Sequence, residues 1–310
     1  MKFNITILGS GSALPTLHKN PTSQFINVQE RFLLIDCGEG TQLQLRKHKL
    51  KFQKIDHIFI SHLHGDHYLG LIGLLSSFHL LGRKKTINIY APKGLEQILN
   101  THFKVSHSKP SFNINFIATK MDGLNLLHED KIMNIYSFPL NHRIDCNGFL
   151  IKEKLRPRSI NKKAIKDYNI SIKDIAAIKN GDDFKFNGET IPNSKITTDP
   201  PTPRSYAFCS DTKYDESIIE FIKGVDLLYH EATFLENMKE RAKETYHSTA
   251  TDAATIALKA DVKKLLLGHY SARYKDVAVF EIEAKKVFKN VIAVNDGDSF
   301  EITSINKCNK

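Results

Sequence analysis

Short apolar runs recur along the chain at Phe3–Leu8, Phe32–Asp36, His57–Ser61, Ile87–Tyr90, Ile135–Pro139, Ser205–Ser210, Asp226–His230, Lys264–Gly268 and Val291–Val294. Their length and β-branched or aromatic content predict β-strands. Between them, apolar residues fall at helical spacing over His67–Leu81, Gly94–Phe103, Asp215–Ile222, Thr249–Ala260 and Val277–Phe288, which predicts amphipathic helices. Gly9 to Pro15, rich in Gly and Ser, reads as a turn that closes the first strand. Strands and helices alternate, but some strands follow one another directly. A mixed sheet or two packed sheets is therefore expected rather than a purely parallel one. No repeat occurs at a solenoid period.

Composition adds size and charge to this picture. The 310 residues, 41% hydrophobic, suffice for a full core, and the expectation is a single domain over 1–310. The longest apolar stretch, Tyr68 to Gly82, is broken by Ser76, Ser77 and His79 and falls short of the ~18 residues a membrane span requires. Asn4 and Thr6 make the amino terminus too polar for a signal-peptide core, so a cytoplasmic protein with no membrane partner is expected. Cys37, Cys146, Cys209 and Cys308 form no Cys-x-x-Cys pair, which fits reduced thiols. The net charge of +10 favours polyanionic partners.

That charge is concentrated. Lys152 to Lys185 holds ten Lys and Arg against five Asp and Glu, half of the net positive charge. The segment reads as an insertion with two helices, one capped by Asn161 and running through Tyr168, the other opening on a Ser171–Asp174 capping box and ending at Asn180-Gly181. Thr197 to Pro203, with three prolines, reads as the return loop.

Chemistry clusters directly after the His57–Ser61 strand, where His62-Leu-His64-Gly-Asp66-His67 precedes a helix. On extended backbone His62 and His64 project to one side, and a turn at Gly65 brings Asp66 and His67 back towards the same point. Three imidazoles and a carboxylate within six residues suit zinc or another borderline divalent ion. Further partners are expected at other strand ends, and His142, Asp211 and His269 each follow a predicted strand.

With these residues the chain resembles the metallo-β-lactamase superfamily and, within it, the ribonuclease Z family, the endonucleases that trim the 3′ end of precursor tRNA. The resemblance also rests on Asp36-Cys-Gly-Glu-Gly-Thr-Gln42, His230-Glu-Ala-Thr233, His247-Ser-Thr249 and Gly268-His-Tyr-Ser-Ala-Arg-Tyr274, and it covers nearly the whole chain. It implies a four-layer αββα sandwich with metals at one edge and a protruding basic helical arm, here residues 152–193. His62, His64 and His142 would hold one metal, and Asp66, His67 and His269 a second, with Asp211 bridging. The ions would be two zinc per chain, although such ligands also accept manganese or iron. They would draw the pKa of a shared water towards neutrality for in-line attack on phosphorus. Asp66 would handle the water's proton, and His247, oriented by Glu231, would protonate the leaving oxygen, so that the tRNA keeps a 3′-hydroxyl.

The resemblance further implies a homodimer and a precursor-tRNA substrate. Ser271 and Arg273, just past His269, are expected to contact phosphate, as are Lys162, Lys163 and Lys166 in the arm, together with Arg156, Arg158 and Lys173. Two departures stand out: Pro15-Thr-Leu-His-Lys-Asn20 keeps only the Pro and Asn of the family's Pro-x-Lys-x-Arg-Asn loop, and the arm lacks a Gly/Pro-rich tip. Competing readings are a phosphodiesterase of the same fold acting on cyclic nucleotides, a small-ester hydrolase, and a non-enzymatic RNA-binding module.

Overall fold

In the computed structural model, which describes residues 2–304, the strands assemble into two seven-stranded mixed sheets. The first runs in the order Ser299–Glu301, Phe3–Gly9, Ser23–Val28, Arg31–Cys37, Ile55–Phe59, Ile87–Ala91 and Ile114–Ala118. Its pairings are antiparallel up to Arg31–Cys37 and parallel from there on. The second runs Val291–Ala293, Leu265–Gly268, Leu227–Glu231 and Ser205–Cys209 in parallel, then Cys146–Glu153, Met133–Leu140 and Asn125–Glu129 antiparallel.

The two-residue period of the strands divides their side chains among three cores. Leu33 and Ile35 face inward and meet Phe149, Ile151, Phe208, Tyr229 and Leu266 of the opposite sheet. Phe32 and Leu34 face outward onto Leu71, Leu74, Phe78, Leu99 and Phe103 of the helices Gly70–Leu80 and Leu95–Val105. On the other side, Leu228, Leu265 and Leu267 pack on Ala253, Ala254, Ala257 and Phe280. The layers are therefore αββα. The helix Ala250–Lys259 opens on a complete capping box: Thr249 Oγ1 accepts from Asp252 N at 3.1 Å, and Asp252 accepts from Thr249 N at 3.0 Å.

All nine predicted strands and five helical regions are present with ends shifted by one or two residues in most cases, and the largest shift at the last helix, which spans Ala278–Ala284. The strands Ser23–Val28 and Cys146–Glu153 escaped sequence reading because both of their faces are buried, which removes the polar alternation. Ile114–Ala118 and Asn125–Glu129, the outer strands, were also unpredicted, as were the helices Thr41–Lys47 and Lys239–Thr245. Cys37, Cys146 and Cys209 are buried free thiols, and Cys308 lies outside the described residues.

The basic segment differs from its expected form in several details. Lys152 belongs to the sheet strand that runs to Glu153, and the excursion closes on a two-stranded pairing of Ser159–Ile160 with Thr197–Thr198. Inside it lie helices Lys162–Asp167 and Ile172–Asn180 and a hairpin of Phe184–Phe186 with Glu189–Ile191. Ala164, Ile170, Ile178 and Ile196 give it a small core of its own. The expected caps do not form. Ser171 donates to the Asp174 carboxylate at 2.7 Å instead of accepting from the helix, and Asn161 makes no side-chain cap. Gly181, at φ +112°, does terminate the second helix. Arg158 pairs with Thr197 and Asp199 at the base of the excursion.

Candidate active site

The five stretches that carry the predicted ligands and Glu231 leave their strands at one edge of the sandwich, while His247 comes from the turn between the helices Lys239–Thr245 and Ala250–Lys259. His62 to His67 follow Ile55–Phe59, His142 follows Met133–Leu140, Asp211 follows Ser205–Cys209, Glu231 ends Leu227–Glu231, and His269 follows Leu265–Gly268. The backbone stays extended at His64, with ψ 145°, and turns helical at Gly65, which swings Asp66 and His67 back towards His62.

The side chains converge in two groups. His62 Nε2 lies 3.0 Å and His142 Nε2 3.2 Å from His64 Nδ1, and Asp211 Oδ2 faces them at 3.6 Å from His62 and 3.9 Å from His142. In the second group Asp66 Oδ2 lies 3.2 Å from His67 Nε2 and 3.4 Å from His269 Nε2. Asp211 Oδ1 meets the same two nitrogens at 3.4 and 3.1 Å. Tetrahedral bonds of 2.0–2.1 Å put neighbouring ligand atoms about 3.3 Å apart, so both groups have the dimensions of a zinc-type shell. Each of the two Asp211 oxygens serves one group.

The outward ring nitrogens decide the tautomers. His142 Nδ1 donates to the Tyr246 carbonyl at 3.0 Å, and His67 Nδ1 donates to Asp36 at 2.8 Å. Ser61 gives its hydroxyl proton to Asp36 at 2.9 Å and so accepts from His62 Nδ1 at 3.1 Å. Thr233 gives its proton to Glu231 at 2.9 Å and accepts from His269 Nδ1 at 2.9 Å. In four imidazoles the Nδ1 proton is thereby committed to an outward acceptor, which leaves Nε2 as the atom turned inward, the arrangement in which histidine binds metal. His67 Nε2, His269 Nε2 and Asp211 Oδ1 are buried with no hydrogen-bond partner among the described residues. Buried polar atoms left unpaired are costly, and a divalent cation is the group that satisfies lone pairs facing one another.

Beside this shell, His247 Nδ1 donates to Glu231 Oε1 at 2.9 Å. Glu231 is fully buried and also accepts from the backbone amides of Thr212, Thr233 and Ser248 at 3.1, 2.9 and 3.1 Å. Burial disfavours a charged His247, but the Glu231 carboxylate outweighs it and raises the imidazole to about 9. The result is a cationic N–H donor at neutral pH, aimed from beside the ligand cluster. Asp211, His247 and His269 also form a grouping with ligand atoms within 4.8 Å, so proximity alone does not separate His247 from the metal shell.

Sequence reading missed the supporting residues. Asp36, at φ +53°, accepts from His67 and from Ser61; Thr233 and the Tyr246 carbonyl orient two more histidines. Asp36 and Thr233 stood inside quoted motifs, but which ring each one meets depends on contacts across 31 and 36 residues. The Gly-Glu-Gly segment has a packing role. A Cβ on Gly38 would come 2.4 Å from the Asp66 carbonyl, and one on Gly70 would come 2.1 Å from the Gly38 carbonyl. The two loops touch backbone to backbone, which only glycine permits.

Ser271 and Arg273 line the open pocket above the ligands, together with Ser12, Arg143 and Arg241. Arg273 stacks its guanidinium 5.1 Å from the Phe234 ring. Lys162, Lys163 and Lys166 are exposed on their helix and are not part of this cluster. Their segment joins the sandwich at Glu153 and Ser205, the opposite end of the sheet from Asp211, about 20 Å away at 3.3 Å per strand residue.

Comparison with known proteins agrees with this geometry. A family profile described as "Anti-Pycsar protein Apyc1" matches residues 3–152, a stretch that ends before Asp211, Glu231, His247 and His269. Among solved structures, the short form of human tRNase Z superposes with a TM-score of 0.71 at 26% identity, covering 97% of this chain and 99% of that one. The metallo-β-lactamase fold protein YhfI of Bacillus subtilis gives 0.69 at 20% identity, covering 97% and 100%, a likeness of fold. Ribonuclease Z of Porphyromonas gingivalis is 48% identical over 295 residues, 95% of this chain and 97% of that protein. Ribonuclease Z of Bacteroides fragilis is 46% identical over 296 residues, again 95% and 97%. At such identity over nearly its full length, and with the αββα sandwich intact, this chain belongs to the ribonuclease Z family of metallo-β-lactamase fold endonucleases.

Proposed function

We propose that the chain removes the 3′ trailer from precursor tRNA by hydrolysing one phosphodiester, leaving a 3′-hydroxyl on the tRNA. The observation that carries this reading is the pairing of two inward-facing ligand groups, sharing Asp211, with a cationic His247 beside them. His62, His64 and His142 would hold one ion and Asp66, His67 and His269 the other, with zinc the best match and manganese or iron also suited to these donors. Such ions supply Lewis acidity that acidifies water and neutralises charge on phosphoryl oxygens. Within the chain, Asp66 takes up the proton of the attacking water, Arg273 and Ser271 hold the backbone phosphate, and His247 gives its Nε2 proton to the departing 3′-oxygen. Glu231 fixes that imidazole and its charge.

Incubation with one 3′-extended tRNA and with a cyclic nucleotide, followed by mapping of the ends, tests the reading. The expected outcome is a single cut that yields a 3′-hydroxyl and far slower turnover of the cyclic nucleotide. The reverse preference would favour the phosphodiesterase alternative.

The basic segment 152–193 is proposed as a tRNA-gripping arm, supported by its exposed lysines and its attachment remote from the ligands. Replacing it with a short Gly/Ser linker should abolish precursor-tRNA binding yet spare hydrolysis of a small aryl phosphodiester. An armless protein with unchanged affinity for tRNA would sink the assignment. A homodimer is likewise proposed, and the exposed Leu43, Leu69 and Leu80, on or beside the adjoining helices Thr41–Lys47 and Gly70–Leu80, support it. No helix among the described residues is long and apolar enough to cross a membrane.

Glu231→Gln gives a pH test of the acid pair. A raised His247 keeps its proton, and with it acid catalysis, until pH passes its folded value. Removal of the carboxylate charge lowers that value, so the alkaline limb of the cleavage profile should move down by about one to two pH units, the worth of one charge-assisted hydrogen bond. Activity should be partly recovered at lower pH. A uniform loss at every pH would mean that Glu231 serves structure alone.

A further inference from the structure

The ligand pocket is not the only cavity that touches His247. A second one, of about 820 Å³, is lined by Lys213, Tyr214, Lys239, Lys243 and Tyr246 as well as His247 itself. We propose that this pocket receives the last nucleotide of the mature tRNA, with its unpaired base stacked on Tyr246 and the neighbouring phosphates held by Lys213, Lys239 and Lys243. The inference rests on the function proposed above.

In-line displacement puts the leaving oxygen opposite the attacking one. If His247 protonates the leaving 3′-oxygen, the ribose that carries this oxygen lies against His247, and its base and 5′-phosphate extend away from the ligands. The pocket that shares His247 is where they arrive. The trailer then runs the other way, over Ser12, Ser271 and Arg273.

The lining suits such a guest. Lysines interleaved with aromatic rings are the composition of single-strand nucleotide sites, in which phosphates meet the cations and bases meet the rings. Lys213 makes no ion pair among the described residues, and its ammonium sits 5.1 Å from the centroid of the Tyr246 ring. Lys239 and Lys243 pair with Glu236 and Glu240 at 2.7 and 3.0 Å, but on the surface, where such pairs are weak and readily exchanged for phosphate. Of the two acids on the lining, Asp252 is engaged in the capping box, and Glu244 pairs with Arg241 on the surface.

Tyr246 itself sits at φ +59°, a left-handed conformation that glycine adopts most cheaply. The turn delivers its carbonyl to His142, and the ring meets the same imidazole edge-on with centroids 6.5 Å apart. The half-buried ring also lines the basic pocket, where it offers an aromatic surface to a base.

The test crosses protein with substrate. Precursor tRNAs carrying either a base or an abasic ribose immediately 5′ of the cut are compared for wild-type, Tyr246→Gly and Lys213→Ala proteins. In the wild type, loss of the base should lower kcat/KM by roughly fivefold or more, the worth of one base stacked on an aromatic ring. In Tyr246→Gly, which tolerates the left-handed backbone and keeps the carbonyl, the penalty should vanish, because ring and base act as one pair. An equal penalty in both proteins overturns the inference. Lys213→Ala, which keeps the ring, should retain the penalty while flattening the slope of log affinity against log salt by roughly 0.7–0.9. An unchanged slope overturns the phosphate contact. Failure of the wild type to cut any 3′-extended tRNA would overturn the functional reading and this subsite together, whereas cutting that ignores the base overturns the subsite alone.

Discussion

Asp211→Ala should lose most of its bound metal and at least the 10²–10³-fold in cleavage that removal of one electrostatic stabiliser costs. Asp211 is buried, and each of its carboxylate oxygens faces a different ligand group, so no neighbouring side chain can take over both contacts. Elemental analysis should find close to two metals per wild-type chain and a clear deficit in the variant. A second readout is independent of activity. A ligand that binds only the folded state raises stability by RT ln(1 + [L]/Kd), so chelation should lower the Tm of the wild type and move the variant much less. Two ions and normal cleavage in Asp211→Ala would end the bridging assignment.

His247→Ala is expected to keep its metals and its affinity for RNA while losing cleavage by a factor on the order of 10²–10⁴, the usual contribution of a general acid. The same experiment separates the two geometries open to this residue, because His247 also lies within ligand distance of Asp211 and His269. Its Nδ1 proton is committed to Glu231, which leaves Nε2 as the atom that donates. With an aryl phosphodiester, whose leaving group departs without a proton, the loss should shrink. A variant that sheds metal instead would move His247 into the ligand shell.

Sequence alone determined the candidate ligand types and their local arrangement. His62, His64, Asp66 and His67 lie within six residues, and the geometry of an extended stretch turning into a helix is a local property. His142, Asp211 and His269 were legible as candidates one step less directly, because a two-residue period marks where a strand ends; parallel pairing brings the ends before Asp211 and His269 to a common edge, and two antiparallel reversals bring the end before His142 there. The same reasoning failed for Cys146–Glu153. That strand is buried on both faces, and its Gly148 is there because a Cβ would come 2.3 Å from the Phe138 ring, a contact made only once the sheet exists.

The tertiary structure decided how the site is supported and where the substrate can go. Asp36 meets His67, Thr233 meets His269, and the Tyr246 carbonyl meets His142 across 31, 36 and 104 residues of chain. Nothing in the spacing of those residues encodes which ring nitrogen each one faces. The pairing of Arg158 with Thr197 and Asp199 and the small core inside the basic segment were equally invisible, since charge along a chain does not reveal which cations already have partners. Strand period and turn chemistry are interactions between near neighbours and are written in order along the sequence. Tautomers, close backbone approaches and shared pockets depend on atoms that only folding brings together.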